Sequence, residues 1–171
     1  MKEKSENSRL RRRLSKGVGS TNSVRTGNRP PICGSMSLFL PLKRATLLIP
    51  SGPQGEQDRK HIFILLTAPH DNEVGTKSVL MVSLSSLRPG VPYDPTCILY
   101  AGDHPFVRHD SYVVYQKARL EDADKVLRGV RNGQFVPQDP IDGAVFARVC
   151  KGLEDSRLTP TKLLAFYSRT G

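Results

Sequence analysis

The chain contains no apolar run approaching the roughly 20 residues that a membrane-spanning helix requires, and no continuous apolar stretch follows its first charges. Neither a spanning segment nor a secretory signal is expected, and this points to a cytoplasmic protein without membrane contact. Cysteine is scarce. Cys33, Cys97 and Cys150 are scattered without a CxxC pair, and an odd count suits reduced thiols better than a disulfide framework. HExxH is absent, and Gly52 and Gly55 are not followed by the Lys-Ser/Thr of a phosphate loop. These gaps leave no signature of a zinc peptidase helix or a nucleotide-binding cradle, and no internal repeat suggests a solenoid.

What is present fits one ordinary core. The 171 residues are 37% apolar, and 27 of them are Pro or Gly, which favours short elements joined by many turns. The formal charge of +10 is uneven: residues 1–35 hold nine Lys and Arg against Glu3 and Glu6, a net of +7, leaving +3 for the remainder. Residues 1–36 also lack aromatic side chains, so they are expected to form a disordered basic tail. Its Arg11-Arg12-Arg13 cluster has two readings, a salt-sensitive contact to nucleic acid or a merely solvated tail. Patterned sequence begins just after Met36, which offers an alternative natural start.

Beyond that break, β-prone runs come first. Ser37–Leu42 and Ala45–Ile49 are closed by the turn Pro50-Ser-Gly-Pro53, His61–Thr67 has the length of a buried strand, and Ser78–Ser85 repeats the pattern. Tyr112–Arg119 reads as a later strand with alternating faces. Strands joined by Gly/Pro loops without intervening helices favour a small antiparallel barrel or sandwich over residues 37–119. Residues 120–171 read as helical. Leu120, Ala123, Val126, Leu127 and Val130 share one face, with Gly133 placed to end the helix. Asp142 is placed to cap a second helix, and Thr159-Pro160 opens a third. The fold class is therefore mainly β with C-terminal helices (α+β).

Chemistry is concentrated in Asp94–Tyr115, DPTCILYAGDHPFVRHDSYVVY. Cys97, Asp103, His104 and His109 include good zinc donors, but their spacing matches no zinc motif, so no metal and no cofactor is assigned. Cys97 sits in a β-prone run, where a small buried thiol is commonplace. His104 and His109 are suited to proton transfer near neutral pH, Arg108 to phosphate binding, and Phe106 or Tyr112 to stacking an unpaired base. Each also has a plain reading as turn or plug: Asp103 satisfying turn amides, Pro105-Phe106 closing the end of the barrel, and His109-Asp110-Ser111 forming a local turn.

The succession Lys43–Pro53, Asp58–Thr67 and Val79–Ser86 resembles the core of the MazF/PemK toxin family, with a first strand, a basic loop, a second strand, and a third strand ending in a hydroxyl residue. The likeness covers about residues 43–119. It implies an SH3-like antiparallel barrel and metal-independent cleavage of single-stranded RNA. The implied partners are that RNA, a neutralising antitoxin protein and a second copy in a homodimer. Carried over, the basic role falls to Arg59, with Lys60 beside it, and the hydroxyl role to Ser85, with Ser83 and Ser86 as register alternatives. The family's Arg-Pro is replaced by Arg59-Lys60-His61 and its Thr by Ser85. The Gly102-Asp-His-Pro-Phe106 segment is not part of the family's pattern; joined with the residues read from 102–112, the expected site comprises Arg59, Ser85 and His104 as catalytic groups and Lys60, Arg108, His109 and Tyr112 as substrate contacts. The alternative is a non-catalytic small-barrel interaction module, of the kind phages and mobile elements carry, using the same cleft for a peptide.

Overall fold

A computed structural model describes residues 38–50 and 60–170. The expectations for residues 1–36, for Met36 as a start and for Arg59 lie outside the described residues. Within them the protein is a mixed α+β structure with an eight-strand antiparallel sheet and three helices. The strands are β1 (Thr46–Pro50), β2 (Lys60–Leu65), β3 (His70–Asp71), β4 (Lys77–Ser86), β5 (Ile98–Leu99), β6 (Ser111–Val113), β7 (Arg119–Asp122) and β8 (Val136–Gln138). Their main path runs β5-β6-β4-β2-β1-β8, with β3 and β7 also pairing to β4. Among the described residues the two end strands, β5 and β8, do not pair with each other, so the sheet stays open.

The centre of the sheet follows from β4, ten residues with no Gly or Pro and a run of buried side chains from Ser78 to Leu84. A strand that apolar on both faces needs cover on both. Leu80, Val82 and Leu84 join Ile62, Ile64, Leu99, Val113 and Tyr115 in a core closed by Val145, Val149 and Leu153 of α2 (Gly143–Asp155) and Leu163 and Phe166 of α3 (Thr161–Thr170). On the other face Val79 and Met81 pack with Leu47, Phe63 and Leu65 against Ala123 and Val126 of α1 (Ala123–Arg131). The helices thus divide between the two faces of the sheet.

Helix ends obey the local chemistry of the chain. The Asp122 carboxylate accepts the Lys125 amide at the start of α1, and Asp142 accepts the amides of Ala144 and Val145 at the start of α2. Each such cap satisfies amides that the first helical turn leaves without an intrahelical partner. Gly133 follows α1 at φ +74°, the left-handed turn that releases the chain into β8.

Three expectations are corrected. Ser37–Leu42 supplies no strand among its described residues, 38–42, because Pro41 removes a ladder donor and the first pairing begins at Thr46. Tyr112–Arg119 is not one strand: a 3-10 turn at Tyr115–Lys117 separates β6 from β7, so both can pair with β4 at different heights. Residues 120–171 are not wholly helical, since Leu120–Asp122 belongs to β7 and Val136–Gln138 forms β8 along β1. No helix among the described residues is long and apolar enough to cross a membrane.

Candidate functional site

The sheet splits at one end. β2 stays with β1 down to the pair Pro50–Lys60, whereas its register with β4 stops at Phe63–Ser83. Beyond that point β4 follows β6 instead, through Leu84–Val113, Ser85–Tyr112 and Ser86–Ser111. Lys60-His61-Ile62 and Leu84-Ser85-Ser86 therefore face each other across a fork with no ladder between them. The His61 imidazole leans into it, its Nδ1 3.5 Å from the Leu84 carbonyl oxygen.

The fork holds a cleft of about 290 Å³ lined by Lys60, His61 and Ile62 on one lip and Leu84, Ser85, Ser86 and Arg88 on the other. Phe106, Val107, Arg108, His109 and Ser111 make the third wall. Three Lys or Arg, two His and three Ser hydroxyls meet there, and among the described residues no carboxylate lines it. Among the described residues no ion pair involves Lys60, Arg88 or Arg108. Asp110, next in sequence to His109, accepts the Ala101 amide with its carboxylate and the Leu87 amide with its carbonyl, bracing the loop to the end of β4. Clustered cations attract anions, and the low-dielectric walls of a cleft strengthen their field.

A second concavity of about 200 Å³ adjoins the first at His61, Leu84 and Ser85 and opens on the α1 face of the sheet. Helix α1 packs on that face over the other half of β4, at Val79 and Met81. Phe63, Ser83, Tyr112, Gln116, Lys117 and Arg119 line it. The Arg119 guanidinium lies over the Phe63 ring, 4.7 Å from its centroid, and pairs with Glu121 at 3.4 Å. Tyr112 packs on Tyr93 with ring centres 5.5 Å apart.

Of the residues expected from sequence, Lys60, Ser85, Arg108 and His109 come together in the cleft, and Tyr112 lies in the adjoining groove. Arg59 lies outside the described residues. His104 does not line the cleft. It is buried at 3% exposure, where its Nε2–H donates to the Asp139 carbonyl at 2.7 Å and its Nδ1 accepts the Phe106 amide at 3.1 Å. Thr46 donates to the same Asp139 carbonyl. With both ring nitrogens committed to backbone, His104 fastens the 102–107 loop to the β8–α2 connection, and no lone pair is left for substrate.

The other polar groups of Asp94–Tyr115 also have structural employment. Asp103 accepts the Tyr100 amide and pairs with Arg148 of α2, and the Ser111 hydroxyl donates to the His109 carbonyl. Cys97 is buried, and that burial pushes its thiol pKa upward, the reverse of an activated nucleophile. Among the described residues no three His, Cys, Asp or Glu side chains are grouped to hold a metal ion. His61, Arg88 and Lys117 escaped the sequence reading. His61 looked like the first residue of a strand, and only the parting of β2 from β4 exposes its ring.

No family model, curated protein or solved structure matches the chain.

Proposed function

We propose that the fork binds the phosphate backbone of single-stranded RNA and that the protein is a divergent MazF/PemK-like endoribonuclease. The observation that carries this reading is the cleft itself, in which Lys60, Arg88, Arg108, His61 and His109 gather around serine hydroxyls. The long strand β4, shared by neighbours on both sides at different heights, supports an opened version of a small SH3-like barrel. The same reading brings a neutralising antitoxin and a second copy of the chain as expected partners.

In this scheme the cations hold the non-bridging phosphate oxygens and stabilise the charge that builds up on the pentacoordinate phosphorus. One cleft imidazole, His61 or His109, takes the proton of the ribose 2′-hydroxyl as its oxygen attacks phosphorus. The other gives a proton to the departing 5′-oxygen. The products are a 2′,3′-cyclic phosphate and a 5′-hydroxyl. Ser85 orients the phosphate by a hydrogen bond. Proton transfer and charge stabilisation are both met by side chains, so no step requires a metal.

The test is incubation of the full chain with a long RNA in EDTA, followed by end-group analysis. Discrete fragments with cyclic phosphate ends are expected. His61→Ala and His109→Ala should each slow cleavage by about 10²-fold, as for loss of an acid-base group, while Arg128→Ala, exposed on α1, changes nothing. RNA left intact by the wild type would overturn the enzyme and favour the non-catalytic interaction module.

A further inference from the structure

Resting on the RNA reading of the fork, we infer that the adjoining groove on the α1 face is a nucleobase subsite, so that one unpaired strand crosses β4 at Ser85. Two flat π surfaces bound the groove. On one side Tyr112, half-buried and packed on Tyr93, offers a ring; on the other the Arg119 guanidinium lies over the Phe63 ring, 4.7 Å from its centroid. Aromatic rings and arginine planes are the surfaces on which unstacked bases lie. Gln116, which can both donate and accept, lines the space between them, and Lys117 adds a charge for the next phosphate.

Continuity with the cleft fixes the path. His61, Leu84 and Ser85 line both concavities, and the Ser85–Tyr112 pair places the hydroxyl at the crossing on the same face as the ring. The lining cations change from Lys60, Arg88 and Arg108 to Lys117 and to Arg119, which also pairs with Glu121, along this path. A base seated between Tyr112 and Arg119 must leave its own stack. The site therefore selects single strands and ignores duplex, with little preference among bases from stacking alone.

The test uses the full chain in EDTA and two fluorescent 2′-O-methyl hexanucleotides, which cannot be cleaved by in-line attack. One carries all its bases and the other is abasic throughout, with the same phosphates. The wild type should bind the base-bearing strand about 10-fold more tightly than the abasic one, as expected for loss of one stacked base. Tyr112→Leu should remove that difference by weakening only the base-bearing strand, while Tyr112→Phe preserves it. Lys60→Ala should weaken both strands alike. Equal binding of the two strands by the wild type, with Lys60→Ala still weakening both, would overturn the base subsite and leave the phosphate cleft standing. An unchanged preference in Tyr112→Leu would also overturn it. Failure of the wild type to bind either strand would overturn both readings.

Discussion

The Nδ1 atom of His61 approaches the carbonyl oxygen of Leu84 to 3.5 Å where β2 and β4 separate. Had the register of Phe63–Ser83 continued, His61 would sit opposite Ser85 and the cleft would be filled by ladder bonds. Instead each strand follows its outer neighbour, β1 or β6, and the gap between them is where the cationic side chains converge.

Acid should loosen the contact between the β4–β5 connection and the helices. Asp94 is buried, which alone would raise its pKa, but hydrogen bonds from the Ser156 hydroxyl and from the Thr96 hydroxyl and amide outweigh that and hold it below the usual carboxylate range. A group depressed in the folded state contributes stability above its unfolded pKa, about 3.9, and loses it as pH falls through the folded value. Urea unfolding midpoints for the wild type should therefore drop on going from pH 7 to pH 3. Asp94→Asn should be less stable at pH 7 and should lose less on acidification; parallel pH profiles would contradict the assignment.

Gly152→Ala should destabilise the protein by about 1–3 kcal/mol, the usual cost of overpacking. A Cβ at this position of α2 would overlap the Tyr115 hydroxyl, which donates to the Val149 carbonyl at 2.8 Å, and would crowd Cys97. Tyr115 is fully buried and cannot swing into water. Thermal unfolding of Gly152→Ala alone and combined with Tyr115→Phe checks the cause: removing the hydroxyl should recover part of the loss.

His104→Ala should cost about 1–3 kcal/mol, since it removes a buried ring that ties the Phe106 amide to the Asp139 carbonyl and leaves that amide without its partner. The shape of the cleavage pH profile should stay the same, because the ring does not line the cleft. A lost limb in that profile would return His104 to the chemistry.

Much of the architecture was legible because its signals are local. The apolar run at β4, the cap Asp142 and the left-handed Gly133 each act within a few residues. What escaped depends on distant partners: β8, with Pro137 in the middle, exists only because β1 offers it an edge, and the break between β6 and β7 arises from their shared pairing with β4. The site divides the same way. Lys60, Ser85, Arg108 and His109 stood out by residue type, but His61 and Arg88 become site residues only where the sheet forks. His104 stood out because its Gly-Asp-His-Pro setting looks reactive, while the Asp139 carbonyl that takes its Nε2–H lies 35 residues away.

The salt dependence of RNA binding tests the phosphate cleft most directly. Affinity of the full chain for a single-stranded RNA should fall linearly on a log–log plot against salt, by roughly 0.7 per phosphate contact. Replacing Lys60 and Arg108 together with Ala should reduce the magnitude of that slope by roughly 1.4, two contacts at this value. The contribution of residues outside the cleft is common to both proteins and leaves the difference untouched. An unchanged slope and affinity in the double variant, with its folding intact, would contradict the account.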